Sequence, residues 1–203
     1  MSTASSNGST KDRTLDAAVR AFGTRGYETT SLDALAGELG VRKQTILYHF
    51  SSKEALLDAV IEEAGSELTA VLEAALAGAG EGLERVDAVV RSVFRLAARR
   101  PELLGLLREV GRLGPPAASR FREMLGPFIE RATSFLDDGM AAGELRRQDP
   151  RFLLLAIYST VVGIATEVEV LRALGVEPTA RSLAGQRRAL IAFLHSALAP
   201  AAP

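Results

Sequence analysis

The side chains that could do chemistry are few, because the 203 residues include no cysteine and only two histidines, His49 and His195. Without cysteine there is no disulfide, thiolate metal site or cysteine nucleophile. His49 has no acid or nucleophile close to it in the sequence and is not expected to act as a base. His195 has apolar neighbours on a predicted helix, which favours a hydrogen-bonded interface histidine over a metal ligand. The sequence predicts no catalytic group, metal or cofactor.

Residues 42–50 concentrate side chains that can hydrogen-bond to another molecule. On a helical wheel, one side of this segment is apolar and carries Ile46, Leu47 and Phe50. The other side carries Arg42, Gln44, Thr45, Tyr48 and His49, and Lys43 and Lys53 flank it. Such groups can reach base edges or phosphates of a duplex. The pattern predicts a helix that docks through its apolar side and contacts double-stranded DNA through its polar side.

The preceding residues predict the rest of a helix-turn-helix. A helical stripe formed by Leu32, Leu35, Ala36 and Leu39 is followed by Gly40, which permits the left-handed backbone of a tight turn. Thr30 is predicted to cap this helix. Thr30 and Ser31 complete the predicted DNA contacts. The only three lysines in the chain all lie before residue 54, which fits a nucleic-acid module on a larger body.

The sequence resembles the TetR family of transcriptional regulators over about residues 11 to 60. The similarity is carried by TTSLDALA at 29–36, by GVRKQTILYHFSSKEALL at 40–57, and by Phe22, Gly26 and Tyr27. The chain departs from the family's usual serine at Arg42, small residue at Gln44 and tyrosine at Leu47. The resemblance implies a homodimer on a near-palindromic operator. It also implies a C-terminal domain whose small-molecule pocket releases the operator when filled.

Helical patterns cover nearly the whole chain and predict an all-α protein of about nine helices. The predicted organisation is a disordered tail at 1–10, a three-helix DNA-binding domain at 11–56, and a larger helical effector-binding and dimerisation domain at 57–203. One helix is expected over Phe152 to Leu174, and a kink or break is expected near Gly126 because Pro127 follows it. The longest apolar run, Phe152 to Ala165, is too short for a membrane span.

The effector pocket is expected to have apolar walls with a few polar groups. Candidate wall residues are Phe94, Leu107, Phe121, Leu125, Phe128, Tyr158 and Val162. Candidate polar groups are Arg91, Arg95, Arg108, Glu109 and Glu167. Such a pocket suits a ligand with a large apolar part. The alternative is that the aromatic residues are ordinary core and the charges are solvated.

The dimer interface is expected on the last two helices, as in the resembled family. Small residues on the penultimate helix permit close helix approach, and the last helix carries an apolar stripe. The predicted interface residues are Ala156, Ser159, Gly163, Thr166, Leu190, Ile191, Leu194 and Leu198. The alternative is that both faces pack only within the monomer.

The leading hypothesis is therefore a bacterial, cytoplasmic regulator, a repressor released from its operator by a small, partly apolar effector. An effector-independent or architectural DNA-binding protein is the alternative, and a C-terminal domain without a ligand-sized cavity would favour it. An α-helical enzyme is a third class, for which the sequence shows no catalytic constellation.

Overall fold

The computed structural model describes residues 9–78, 80–177 and 179–200, and these residues form ten helices without a strand. The helices are α1 (Thr10–Arg25), α2 (Leu32–Leu39), α3 (Lys43–His49), α4 (Lys53–Gly78), α5 (Gly82–Arg99), α6 (Pro101–Leu113), α7 (Ala117–Ala141), α8 (Pro150–Thr166), α9 (Val168–Ala173) and α10 (Ala180–Leu198). The predicted all-α class is confirmed.

Three boundaries differ from the predictions. Residues 1–8 of the predicted tail lie outside the described residues, whereas Ser9 caps α1 in a capping box with Asp12. The helix predicted over Phe152 to Leu174 is two helices, because the backbone of Glu167 leaves the helical conformation between α8 and α9 (φ −93°, ψ 61°). The helix α7 runs through Pro127 without the predicted break.

The interior consists of two apolar clusters. The first joins buried residues of α1 to α4 with residues of α5, α6 and α7, and the second joins residues of α5, α7, α8 and α10. Leu56 and Leu57, on either side of the predicted domain boundary, are both buried in the first cluster and lie within α4. The first three helices, called the head below, therefore share one continuous core with the rest of the chain, the body.

Close contact between α1 and α6 joins the head to the body. A Cβ atom added at Gly23 would lie 2.0 Å from the carbonyl oxygen of Glu102, and one added at Gly105 would lie 2.1 Å from the carbonyl oxygen of Gly23. Backbone atoms cannot move aside as a flexible side chain can. The two glycines therefore allow a helix separation that no larger residue permits.

Candidate nucleic-acid interface and effector region

The turn between α2 and α3 has the predicted helix-turn-helix geometry. Gly40 ends α2 in the left-handed conformation (φ 66°, ψ 31°), which a residue without Cβ adopts without strain. The next amide, that of Val41, donates to the carbonyl of Ala36 at 3.0 Å, and the Val41 side chain packs against the first cluster. These contacts fix the direction in which α3 begins.

The start of α2 corrects the prediction for Thr30. Ser31 is the N-cap residue, and its Oγ accepts a hydrogen bond from the amide of Ala34 at 3.1 Å. Thr30 is only 1% exposed, and its hydroxyl donates to the carbonyl of Gly26 at 2.8 Å. The Thr30 side chain therefore stabilises the loop between α1 and α2 and does not reach the surface, whereas Ser31 is exposed.

The two sides of α3 separate as the sequence predicts. Ile46 and Phe50 are buried in the first cluster, and Leu47 packs partly against it. On the opposite side, Tyr48 is 85% exposed although it is a large aromatic residue. The polar side chains of this face are Arg42 and Gln44, which are exposed, and Thr45 and His49, which are half-buried. The face can enter the major groove of a duplex.

The two lysines beside this face already have partners within the head. Lys43 Nζ lies 2.8 Å from Asp33 Oδ2, so the first turn of α2 holds the start of α3. Lys53 Nζ lies 4.1 Å from the centroid of the Tyr27 ring, in a cation–π contact. Burial, followed by the negative charges of Glu54 and Glu28, raises the pKa of Tyr27, which keeps its hydroxyl protonated.

Two body residues that the sequence did not single out as links hold the head. Glu109 of α6 accepts a hydrogen bond from the Tyr27 amide, and Arg112 donates to both of its carboxylate oxygens at 2.8 Å. The hydrogen bonds from Arg112 hold the pKa of Glu109 below its ordinary value despite partial burial, with further contributions from the Tyr27 amide and the charges of Arg112 and Arg108. Glu109 is therefore a structural link between the body and the head, a role that the sequence did not predict for it.

Arg100 is the second link. It follows α5, and its guanidinium contacts Glu102 at 2.8 Å, Glu67 of α4 at 3.0 Å and Asp16 of α1 at 3.4 Å. Burial opposes its charge, but the Glu102 hydrogen bond and the three carboxylate charges outweigh that cost and raise the pKa of Arg100. Only tertiary structure brings these carboxylates together, and no local pattern in the sequence indicates them.

The predicted apolar wall residues do not enclose a common pocket. Leu107 and Phe121 line a cavity of about 10 Å³ among α4, α5, α6 and α7, which is no larger than a water molecule needs. Phe94 lies in the second cluster and Phe128 in the first. Leu125 packs partly against the first cluster, Val162 is buried and Tyr158 is 47% exposed. Leu107, Phe121, Phe94 and Phe128 therefore pack in the interior and do not line a ligand-sized cavity.

The predicted polar groups divide between two places. Arg108 and Glu167 form an ion pair with each other across α6 and the break before α9. Arg91 and Arg95 instead line a cleft of about 540 Å³ between α4 and α5. The other lining residues are Glu67, Val71, Ala74, Ala75, Gly78, Ala88, Ser92, Leu96, Arg99 and Arg100. This cleft has the volume of a small-molecule site.

The predicted dimer residues face two directions. Leu190, Leu194 and Leu198 are buried in the second cluster of their own chain, so their prediction as interface residues is wrong. Ile191 packs only partly against that cluster and stays a predicted interface residue. Periodicity showed the apolar stripe of α10 but not which helices cover it. On α8, Ser159 is exposed and Ala156 and Gly163 are half-exposed. The Thr166 side chain lies outside the described residues.

A different set of large apolar residues is exposed on α8 and α10. Phe193 is 66% exposed, Phe152 is 64% exposed and Leu155 is 58% exposed. Helical spacing places Phe152 and Leu155 on the face of α8 that carries Ala156, Ser159 and Gly163. His195 is hydrogen-bonded to Asp87 of α5, with 2.7 Å between Nε2 and Oδ1, which ties α10 to its own chain.

The described residues contain no cluster of three or more possible metal-ligating side chains. Across the same part of the chain, no helix combines the length and the apolar character needed to span a bilayer.

Comparisons with known proteins agree with this architecture. A family described as "Bacterial regulatory proteins, tetR family" matches residues 15–60, and the "Tetracyclin repressor-like, C-terminal domain" matches residues 79–166. The two matches together span the head and most of the body. The chain belongs to the TetR family. The predicted assignment to DNA-binding transcriptional regulators is thus confirmed.

Three transcriptional regulators illustrate the likeness. The HTH-type transcriptional regulator UidR of Escherichia coli is 25% identical over 167 residues, which are 78% of this chain and 83% of UidR. The negative transcriptional regulator IcaR of Staphylococcus aureus is 35% identical over 48 residues, covering 24% of this chain and 26% of IcaR. The structure of FadR from Bacillus subtilis in complex with stearoyl-CoA has a TM-score of 0.74 and 21% identity, covering 92% of this chain and 98% of FadR. This last likeness shows the fold.

Proposed function

We propose that this TetR-family protein is a cytoplasmic homodimeric repressor that a small-molecule effector releases from a palindromic operator. The observation that carries the proposal is the exposed polar face of α3, with Gln44 and Tyr48 outward above a buried apolar side. Tyr48 is 85% exposed, so its ring and hydroxyl can contact base edges or phosphates in a groove of DNA.

The base-reading groups in this proposal are Gln44, Thr45, Tyr48 and His49. Arg42, Lys43 and Lys53 would contact phosphates, together with Ser31 at the start of α2. Lys43 must exchange Asp33 for a phosphate oxygen, and because the Lys43–Asp33 ion pair is exposed, breaking it costs little. Repression is supported by the likeness to IcaR, a negative transcriptional regulator that is 35% identical to this chain over 48 residues.

Dimerisation would use the outward faces of α8 and α10. Exposed Phe152, Leu155 and Phe193 are large apolar groups of the kind that a second copy of the chain would bury. A dimer with its two heads on one side would match a palindrome, because the operator's symmetry mirrors that of the protein.

Effector release is supported by the cleft between α4 and α5, which has room for a small molecule. The structure of FadR in complex with stearoyl-CoA shows that a protein of the same fold accommodates a small molecule. An effector-independent DNA-binding protein is the second candidate. It is favoured by the packing of Leu107 and Phe121 around a cavity of only about 10 Å³.

The test is fluorescence anisotropy on inverted repeats from the DNA flanking the coding region, each compared with a shuffled duplex of equal composition. The proposal expects a repeat that binds far more tightly than its shuffled form, with affinity falling steeply as salt rises. Equal affinity for every duplex would contradict it.

A further inference from the structure

The cleft between α4 and α5 is lined by positive charge on one wall and small apolar residues on the other. Arg91, Arg95 and Arg99 recur every fourth residue along α5, so their side chains lie along one face of the helix. The α4 wall consists mainly of Val71, Ala74, Ala75 and Gly78. Glu67 and Arg100 lie at the end of the cleft, where they bind each other.

The positive charge of this wall is only partly compensated. Arg91 is paired with Asp87 at 2.7 Å. Arg95 Nη2 donates to the neutral hydroxyl of Ser92 at 2.7 Å. Across the residues that the structure describes, no carboxylate lies within 4 Å of the guanidinium of Arg95 or Arg99. Two like charges one helical turn apart repel each other, and an anion between them removes that repulsion.

We propose that this cleft binds a phosphate or diphosphate ester, with its phosphate oxygens on Arg95 and Arg99 and an apolar portion against the α4 wall. Planar guanidinium groups donate paired hydrogen bonds to phosphate oxygens, and arginine is favoured where such recognition is needed. The inference rests on the proposed function, because it names the chemical class of the effector.

Arg100 connects the cleft to the head. Its guanidinium lines the cleft while contacting Glu67 of α4 and Asp16 of α1. A phosphate bound beside Arg99 competes with these carboxylates for Arg100. The 3.4 Å contact with Asp16 is the longest of the three Arg100 contacts and is the one a competitor displaces most easily. Occupation of the cleft therefore loosens a contact that holds α1 against the body.

The binding test uses inorganic pyrophosphate as the probe, measured by isothermal titration calorimetry at constant ionic strength. The double variant Arg95→Gln/Arg99→Gln is compared with Arg122→Gln. Arg122 is a matched control because it is exposed and donates to a serine hydroxyl three residues earlier, as Arg95 does. We expect the affinity of the double variant for pyrophosphate to fall by a factor of about ten or more, and the control to bind like the original chain.

Three results of this assay overturn the site. One is absence of pyrophosphate binding to the original chain, and another is equal weakening in the double variant and the control. The third is citrate binding as tightly as pyrophosphate, which would make the cleft a general anion site without a preference for phosphate. The thermal unfolding temperature of each variant is compared with that of the original chain, to separate a loss of binding from a loss of the fold.

A second assay separates this inference from the proposed function. Pyrophosphate is added to the operator complex, and the fractional loss of affinity is compared between the original chain and Arg95→Gln/Arg99→Gln. Loss in the original chain but not in the double variant supports the effector role. Pyrophosphate binding in the cleft without an effect on the operator overturns that role. Failure to bind any operator contradicts the proposed function alone, because calorimetry still tests the cleft.

Discussion

The carboxylate of Glu109 accepts a hydrogen bond from the backbone amide of Tyr27, with 2.7 Å between Oε1 and N, across 82 residues of sequence. Tyr27 lies in the loop between α1 and α2, and Glu109 lies in α6. A body helix thus fixes the loop that leads into the helix-turn-helix. The position of α6 and the position of the DNA-contacting helices are coupled through this bond.

Replacing Glu109 with glutamine is expected to destabilise the fold by about 1–3 kcal/mol, because hydrogen bonds to a charged acceptor are stronger than those to an amide. The lowered pKa of Glu109 gives this loss a pH dependence. The stabilisation is fully present above the ordinary carboxyl pKa of 4.5 and disappears as pH falls through the lowered folded value.

Urea unfolding of the original chain and Glu109→Gln at pH 7 and near pH 3.5 checks this expectation. The difference in unfolding free energy should be larger at pH 7, because below the ordinary carboxyl pKa of 4.5 the unfolded chain binds a proton at Glu109 and part of the stabilisation by its charge is lost. A difference that stays constant between the two pH values would show that the carboxylate charge is not what stabilises the loop.

Replacing Gly105 with alanine is expected to cost about 1–3 kcal/mol, because the new Cβ would meet the Gly23 carbonyl in the contact between α1 and α6. Gly111 is the matched control on the same helix, since a Cβ there meets nothing within 4 Å. Gly111→Ala is expected to stabilise the helix by about 0.5–1 kcal/mol. Thermal and urea unfolding measure both variants, and equal effects of the two would contradict the close approach.

Replacing Gln44 with alanine is expected to reduce discrimination between the operator and a shuffled duplex by about 1–3 kcal/mol, if its amide reads a base. Lys53→Gln, by contrast, is expected to weaken both duplexes alike and to lower the salt slope by about one. Anisotropy titrations over a range of salt concentrations distinguish the two patterns. If Gln44→Ala also weakens both duplexes equally, Gln44 contacts the backbone and not a base.

Replacing Phe193 with glutamate is expected to convert the proposed dimer to a monomer, because a charge would have to be buried against the second copy. Ile129→Glu is the control, since Ile129 is an exposed apolar residue of α7 and belongs to neither α8 nor α10. Light scattering coupled to size-exclusion chromatography measures the mass of each variant. A dimeric Phe193→Glu protein would place the interface elsewhere on the surface.

Local signals predicted the helix-turn-helix well, and non-local packing explains what they missed. Gly40 and the two sides of α3 follow from backbone freedom and periodicity, which neighbouring residues alone determine. Thr30 and Ser31 are adjacent hydroxyl residues, and only the fold of the preceding loop decides which one caps α2. The apolar stripe of Leu190, Leu194 and Leu198 was visible in the sequence, but its burial against α5 and α8 was not.

The links between head and body were invisible for the same reason. Glu109 and Arg100 have partners 82 and 84 residues away, so no spacing rule could indicate them. Gly105 lies inside a helical pattern, where glycine alone indicates only weaker helix propensity. Its role becomes apparent once α1 lies against it.

The continuous apolar cluster through α1 to α7 limits how this protein can be re-engineered. A chimera that grafts a foreign head onto this body at residue 57 would cut between Leu56 and Leu57, both buried in that cluster. The graft would also place an unmatched surface against Gly105. A working exchange of operator specificity must therefore transplant only the outward side of α3, leaving the inward-facing residues of the recipient in place.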